Sequence, residues 1–524
     1  MPKELVSEVR NSFRGGLNVY LSPDLLAPDE LTSSLNARVD TDGPISKRLG
    51  TRRLHASALA AAPIKGVTQW DGPSGSQLVA ICNGDLFYRN QSSGEYAAFT
   101  QVDPGATDAF STTEPAFFAT LRAPESGAPL RLYIASGGKL YEWSGTTLVR
   151  LDGVTSSLGH FAPDASLIAT YHLRIFTNSL VRPQHLVWSR LGDGRYYAGG
   201  LGADGGTAMV SAIEADDIVA LQTVGRSLLV FTHNAIARLG GYSAADIQID
   251  QDMEGVSPDV GIVGPQALHR AEHLVFFISD RGAYLASEGA IAPVGLKVQP
   301  IFDAINRTLL ENIIVGHHHG RNEMWVAYSG TGDSSLNKSV LVYNLRHQAW
   351  YGPFGFNWAT GTAGITSMLH YEDTSGNEAL LAGCSDGFIR HLDIGLKDDM
   401  LSDGTSGNSF SWDATLAPFF FGNPEIVHAV RYFFTQARIA AVNDLGYSIT
   451  MQTGPGGGVG TIPGVNNPNA ADSGKVKSYK TYPEDRYVVG QRIVLTYSGN
   501  ASVPDVQPEV HGVVMYAHKM DRVI

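Results

Sequence analysis

LVFFISDRGAYL, at Leu274–Leu285, is the clearest copy of a pattern that recurs along this chain. The other copies are LVAICNGDLFYR at Leu78–Arg89, LRLYIASGGKLYEW at Leu130–Trp143, LLVFTHNAIARL at Leu228–Leu239 and ALLAGCSDGFIRHL at Ala379–Leu392. In each copy an apolar run meets a turn of Gly, Asn, Asp or Ser, and a second strand-like run follows. With weaker copies near Phe176 and Tyr343, the pattern recurs roughly every 45–55 residues between about 64 and 395, and this period matches one four-stranded blade. The pattern therefore predicts an all-β fold, a β-propeller of six or seven blades.

The regions outside this repeat differ in composition. We predict an extended N-terminal arm over residues 1–60, the propeller over 61–400 and a small C-terminal β-sandwich-like domain over 401–524. Residues 298–313 break the strand alternation, and their apolar spacing predicts a helix between two blades. Residues 454–475 are rich in Gly, Pro and Asn and predict a long loop in the C-terminal domain.

Composition excludes several classes of protein. The net charge of −13 argues against a protein that grips nucleic acid through a basic stripe. An acidic wall could still surround DNA that must slide without adhering. The two cysteines, Cys82 and Cys384, are too few for a disulfide scaffold. We also expect no signal peptide and no membrane span, because no apolar run is long enough.

Three clusters of residues have side chains suited to metal binding, catalysis or sugar binding. His317 and His319 would share one face of a strand, but no third ligand lies nearby in sequence, which favours polar residues at a strand end. Gly383–Gly387 fits G-x-S-x-G, yet a strand follows it instead of a helix, which favours a hairpin turn. The aromatic run Trp350–Phe354 could stack on sugars, although packing between blades is the more common role.

Acidic pairs for glycoside hydrolysis are not evident. Asp216, Asp217, Asp280 and Glu288 were considered, but most of these acids lie in turns, where Asp is favoured for backbone reasons. No catalytic residue, cofactor or metal ligand is predicted from the residues, and we expect no enzyme activity.

The N-terminal arm is too apolar to be a solvated tail, so it is expected to lie along the body or on a neighbouring subunit. Its basic pairs would then touch subunits in preference to DNA. The residues predicted to make subunit contacts are Phe13, Leu17, Tyr20, Leu25, Arg48 and Arg52.

A second pattern runs through the arm at fixed spacing. It consists of Phe13-Arg14-Gly15-Gly16-Leu17-Asn18, Ser22-Pro23, Glu30-Leu31, Leu35-Asn36-Ala37-Arg38, Asp42-Gly43 and Lys47-Arg48-x-Gly50. This motif resembles the opening of β-propeller virion proteins of tailed bacteriophages, namely tail nozzle and packaged-DNA stabilisation proteins. The resemblance covers about 40 residues in detail and the rest of the chain only by architecture.

The resemblance implies a structural role in the virion tail, with assembly in the host cytoplasm. The implied protein forms a ring, a hexamer, that closes the DNA exit channel, retains packaged DNA and opens for ejection. Its implied partners are copies of itself, portal, adaptor or other tail proteins, tail fibres, and DNA that passes without sequence recognition. Two alternatives stay open: a tail fibre adaptor or glycan-binding propeller, and a propeller glycoside hydrolase.

Overall fold

A computed structural model shows the fold of most of the chain. It describes residues 4–520 apart from 41–42, 74, 95, 106–108, 123–129, 152–161, 198–204, 211–215, 241–247, 251–259, 288, 331–335, 359–362, 402–405, 423–425, 440–444, 453–458, 466–475, 483–487, 491 and 501–506. The regular secondary structure of the described part is almost entirely β-strand, with a few short helical turns.

Seven antiparallel sheets of four strands each follow one another through the described part of the chain. Sheet 1 comprises Ile64–Gly72, Gly75–Cys82, Asp85–Asn90 and Thr100–Val102, and sheet 2 comprises Phe117–Arg122, Leu130–Ala135, Tyr141–Trp143 and Leu148–Arg150. Sheet 3 comprises Ile168–Tyr171, Arg174–Asn178, His185–Trp188 and Gly206–Met209, and sheet 4 comprises Ala220–Val224, Ser227–Phe231, Ile236–Gly240 and Gln248–Asp250. Sheet 5 comprises Leu268–Ala271, Leu274–Ser279, Gly282–Ala286 and Ile291–Pro293, and sheet 6 comprises Ile314–His318, Glu323–Tyr328, Ser339–Asn344 and Ala349–Gly355. Sheet 7 comprises Ile365–Glu372, Glu378–Cys384, Ile389–Leu392 and Thr51–Arg53.

The first strands of successive sheets contact one another, and the first strand of sheet 7 contacts that of sheet 1. The sheets thus form a closed ring, which confirms the predicted all-β propeller class. The second strands are buried on both faces because each lies between two neighbouring sheets, as Val275–Ile278 shows. The hairpin after Cys82 turns through Asn83 and Gly84, both at positive φ (53° and 86°), as a two-residue turn requires.

The last sheet closes with a strand from the other end of the propeller sequence. Thr51–Arg53 pairs with Ile389–Leu392, and Arg52 lies opposite His391. This strand was assigned to the arm by sequence, so the propeller begins earlier than residue 61.

A β-sandwich is formed jointly by the N-terminal and C-terminal segments. One sheet contains Val476–Thr481, His428–Arg438, Glu509–Lys519, Ile45–Lys47 and Ala37–Val39, with Leu5–Arg10 beside Glu509–Lys519 and Val488–Gly490 beside His428–Arg438. The other contains Gly16–Leu17, Glu30–Leu35, Ser411–Leu416, Arg492–Asn500, Gly446–Gln452 and Val459–Val465. Their faces meet where the Thr435 hydroxyl lies 2.8 Å from that of Tyr497. The segment expected as an extended arm therefore supplies strands to both sheets.

Helical structure is limited to short segments in the described residues. The α-helix is Gln299–Asp303, and the 3-10 turns are Pro23–Leu25, Gln91–Ser93, Leu296–Val298, Arg307–Asn312 and His319–Arg321. The helix predicted over 298–313 is thus replaced by separate short segments between sheets 5 and 6. No described helix has the length and apolarity to cross a membrane. In the predicted loop 454–475, Val459–Val465 pairs as a strand, and 454–458 and 466–475 lie outside the described residues.

Candidate functional site

The motif that distinguishes the N-terminal segment lies where the sandwich meets the propeller. We call this contact the joint, and define it by Glu30, Asn36, Arg38, Arg48 and Gly50 with their partners. Each of these five residues lies against a part of the chain that comes hundreds of positions later in the sequence. Glu30 and Asn36 also accept hydrogen bonds from side chains of the N-terminal segment itself. The joint is the best-defined polar site of the described structure.

A buried ion pair between Arg48 and Asp398 forms the first part of the joint. Two guanidinium nitrogens donate to the two carboxylate oxygens at 2.9 and 2.6 Å, and both side chains are fully buried. Arg48 also donates to the backbone oxygen of Gly355 in sheet 6 at 2.6 Å. Its guanidinium carbon lies 3.7 Å from the ring centre of Phe410. One side chain thus connects sheet 6, the segment after sheet 7 and the entry to the sandwich.

Arg38 makes the second ionic contact, between sheets 6 and 7. It is 2% exposed and donates to Glu323 Oε1 at 2.8 Å and to Asp393 Oδ1 at 2.6 Å. Burial alone would lower the pKa of Arg38, but the two carboxylates outweigh burial and raise this pKa above its ordinary value. Burial likewise favours a high pKa for Asp393, yet Arg38 and Arg321 hold that pKa below its usual value. The site is therefore ionised at neutral pH.

Asn36 links three segments through its amide. Its backbone adopts a left-handed conformation (φ 52°), which Asn tolerates better than most residues. Its Oδ1 accepts from the backbone N–H of Gly355 at 2.8 Å and from Arg48 Nε at 2.9 Å. Its Nδ2 donates to the backbone oxygen of Ser411 at 2.8 Å. These bonds satisfy the buried amide and fix the sandwich strand against sheet 6.

Two motif glycines are required by close backbone approach. A Cβ at Gly50 would lie 1.8 Å from the backbone oxygen of Lys397. A Cβ at Gly16 would lie 2.6 Å from the backbone oxygen of Trp350, and Gly16 has φ of +69°. Any larger side chain would force these segments apart.

Glu30 anchors the start of the motif to the segment between sheets 5 and 6. Its carboxylate accepts from Asn18 Nδ2 at 3.0 Å and from Lys297 Nζ at 2.9 Å. Lys297 also donates to the backbone oxygen of Gly15 at 3.1 Å. Burial would raise the pKa of Glu30, but these donors outweigh burial and lower it. Glu30 thus ties the N-terminal segment to the chain between sheets 5 and 6.

Three of the residues predicted to contact other subunits lie inside the chain. Phe13, Leu17 and Arg48 are at most 1% exposed, and their contacts are intramolecular. Phe13 and Leu17 belong to the same apolar core as the inner faces of sheets 5 and 6. The physical reason is that the segment pairs as strands and does not extend away from the body.

The other three predicted contact residues are placed differently. Tyr20 and Leu25 are 52% and 71% exposed, so the described chain leaves both available to a neighbour. Arg52 lies on the strand that closes sheet 7, with its guanidinium carbon 5.5 Å from the ring centre of Tyr96. Arg52 is half-buried, and Tyr20 and Leu25 are the most exposed of the six residues.

The central channel is lined by the first strands of all seven sheets. Adjacent strands are tied by threonines: the Thr170 hydroxyl donates to the backbone oxygen of Thr120 at 2.8 Å, and that of Thr223 donates to Thr170 at 2.9 Å. The cavity measures about 420 Å³, and His269 is the one titratable side chain among its described lining residues. Burial lowers the pKa of His269. A volume of this size is typical of a small-molecule pocket.

A second cavity, of about 450 Å³, opens beside one end of the channel. Its lining includes Lys65, Glu114 and Glu311. Lys65 Nζ donates to the backbone oxygen of Thr113 at 2.7 Å. This second cavity, which we call the mouth cavity, therefore combines charged side chains with enough space for a small ligand.

The clusters weighed for chemistry have structural surroundings. Trp350 and Tyr351 are buried and pack between sheets, which confirms the packing interpretation of the aromatic run. Ser385 lies in a hairpin turn, as predicted, and its hydroxyl accepts from the backbone N–H of Gly364 at 3.0 Å.

Of the acids discussed above, Asp280 lies in a turn, and Asp216 and Asp217 lie in a segment without regular structure. The carboxylate of Asp216 accepts from the backbone N–H of Asn234 at 2.9 Å, and that of Asp280 accepts from Ser279 Oγ at 2.8 Å. Glu288 lies outside the described residues. Both cysteines are free and buried.

Sequence reasoning missed the acidic partners of the joint. Asp393 and Asp398 accept hydrogen bonds from the joint residues Arg38 and Arg48. The neighbouring Asp399 accepts from Arg53 and Arg390. A signal was present, because these three acids fall within seven residues directly after the last repeat of a chain poor in charge.

Fold and site define the class of the protein as a β-propeller with an attached β-sandwich. Neither a protein-family model nor a curated protein sequence matches the chain. Among solved structures, the N-terminal domain of Nup159 matches with 10% identity and a TM-score of 0.39, covering 68% of this chain and 98% of that one. The WD40 domain of Neurospora crassa Pan2 matches with 10% identity and a TM-score of 0.38, over the same shares of the two chains. These similarities concern the propeller fold alone.

Proposed function

We propose that this chain is a structural, non-catalytic ring component of a tailed-bacteriophage tail. In this proposal several copies, six by the resemblance, surround the DNA exit channel, retain the packaged genome and open for ejection. The supporting observation is that five residues of the resembling motif, Glu30, Asn36, Arg38, Arg48 and Gly50, form the joint between sandwich and propeller. Asp42 of the motif lies outside the described residues.

The size of the channel determines where the DNA would pass. The cavity at the centre of one propeller measures about 420 Å³, so in this proposal the DNA passes through the lumen between copies and not through one propeller. A net charge of −13 per subunit disfavours adhesion of phosphate backbones to that lumen. DNA could then slide once the ring opens.

Contacts between copies are proposed for the exposed part of the N-terminal segment. Tyr20, Leu21 and Leu25 are 52%, 40% and 71% exposed and lie close together in sequence. Grouped exposed apolar residues are a common feature of protein contact surfaces. We place one half of the subunit contact there.

The assembly test uses the untagged full-length chain. Native mass measurement and negative-stain imaging are expected to show closed rings, alone or with the portal and adaptor proteins of the same phage. The Tyr20→Asp/Leu25→Asp variant is expected to give single 56.1 kDa chains that keep the native circular dichroism spectrum. Val181→Asp is the matched control, because Val181 is 83% exposed in the loop between the second and third strands of sheet 3.

Two results would contradict the proposal. One is a chain that stays monomeric at tens of micromolar with every tail protein added. The other is loss of rings in the Val181 variant to the same degree as in the double variant. Labelling of purified virions with an antibody against the chain is expected to mark the tail.

A ligand-binding propeller is the second candidate. The observation that favours it is the mouth cavity of about 450 Å³ with Lys65 and Glu114 in its wall. Saturable binding of a host cell-wall sugar, weakened by Lys65→Met, would support this function over a purely structural one.

A further inference from the structure

Three side chains with metal-binding chemistry converge from two neighbouring sheets. His319 follows the first strand of sheet 6, His370 lies on the first strand of sheet 7, and Glu378 begins the second strand of sheet 7. One ligand atom from each lies within 4.8 Å of the other two. His319 Nδ1 is 2.8 Å from Glu378 Oε1, and the two imidazole rings are 5.2 Å apart.

Burial differs across this group, which we call the histidine–glutamate cluster. His370 Nδ1 is buried without a hydrogen-bond partner in the described structure. A buried polar atom of that kind is costly unless something satisfies it. The side chains of His319 and Glu378 are 52% and 33% exposed, so an ion from solvent can reach them.

We propose that the histidine–glutamate cluster binds a zinc ion. Two imidazoles and one carboxylate form a donor set that zinc uses with a fourth position left to water. Metal–ligand lengths of about 2.1 Å in a tetrahedral site place ligand atoms roughly 3.4 Å apart. The observed separations, 2.8 Å for one pair and at most 4.8 Å for the others, bracket that value.

The surroundings of the cluster support binding over a simple surface ion pair. His317, 4% exposed, packs its ring 5.4 Å from that of His319 and limits the rotamers of that ring. An ion pair would require only His319 and Glu378, with His370 playing no part. A zinc ion would instead need all three and would link sheet 6 to sheet 7. This site is independent of the proposed ring assembly.

Zinc binding is tested on the untagged full-length chain after treatment with a chelator and gel filtration. Competition titration with a chromophoric zinc indicator is expected to show one zinc per chain above any weak background. His370→Ala and Glu378→Gln are each expected to weaken this binding at least tenfold. His273→Ala is the matched control, because His273 is exposed beside Glu272 and belongs to no group of three potential ligands among the described residues.

Thermal unfolding provides a second readout on the same samples. Zinc is expected to raise the Tm of the wild-type chain and of the His273 variant, and to leave the Tm of the Glu378→Gln variant unchanged. Glu378→Gln keeps the side-chain shape, so its fold can be verified by circular dichroism. The proposal is overturned if the wild-type chain binds no zinc, if the His370 and Glu378 variants bind as the wild type does, or if the His273 variant loses binding equally.

Discussion

Removal of Arg48 is the sharpest test of the joint. In Arg48→Met, Asp398 keeps the backbone N–H of Asn357 at 2.8 Å but loses both guanidinium bonds while remaining fully buried. Breaking a buried ion pair on one side typically costs 3–5 kcal/mol, so we expect a loss of about 4 kcal/mol in the free energy of unfolding. This is a large share of the roughly 5–15 kcal/mol that stabilises a typical folded protein.

The assay is urea unfolding of the full-length chain, followed by tryptophan fluorescence and by circular dichroism. Trp412 lies in the sandwich and Trp350 in the propeller, so separate transitions would indicate that the two parts have uncoupled. Arg281→Met, at an exposed turn residue, is the control and should change stability by less than about 0.5 kcal/mol.

A double-mutant cycle separates the ion pair from other losses. Asp398→Asn added to Arg48→Met should cost much less than the sum of the single changes, with a coupling energy of about 2 kcal/mol or more. The reasoning is refuted if Arg48→Met costs under about 1 kcal/mol, or if the two changes are additive.

Two further outcomes follow from the structure. In Gly50→Ala the new Cβ would lie 1.8 Å from the backbone oxygen of Lys397, so this change should lower the free energy of unfolding by several kcal/mol. The control, Gly289→Ala, has open space around the new Cβ and should leave that free energy unchanged. Equal effects of the two changes in urea titrations would contradict this prediction. Burial lowers the pKa of His55 to about 4 from an ordinary value near 6.5, so its contribution is complete above pH 6.5 and is lost as pH falls towards 4. Between pH 7.5 and 5.0 the wild type should therefore lose about 2 kcal/mol more than His55→Gln, and parallel pH profiles would oppose this assignment.

Strand repeats were accessible from sequence because each blade is a local unit. The run Leu274–Leu285 carries its own alternation and turn, and its strands pair with their immediate neighbours in the chain. Closure of sheet 7 was not accessible in the same way. Thr51–Arg53 is too short to show periodicity, and its partner Ile389–Leu392 lies more than 300 residues away. Local pattern cannot identify a partner at that distance.

The same limit applies to the candidate sites. The motif of the N-terminal segment was recognisable in the sequence. That Arg38 pairs with Glu323 and Arg48 with Asp398 required the structure, because no spacing rule joins residues so far apart in the chain. Burial of Phe13 was likewise hidden, because an apolar residue in an irregular sequence is compatible with contacts within or between chains. For the histidine–glutamate cluster, sequence showed His319 without a third ligand, since His370 and Glu378 belong to the next sheet.

The buried charges indicate what the joint contributes. Only 17% of residues are charged, yet the joint residues Arg38 and Arg48 are fully buried against carboxylates. Such pairs add little net stability compared with apolar packing, although each is satisfied in only one relative position of its two partners. We infer that these contacts chiefly fix where the sandwich lies on the propeller. In a ring of copies that position would set the spacing of neighbouring subunits, and hence the width of the lumen. A protein that only needed to fold could have used apolar residues at the same positions.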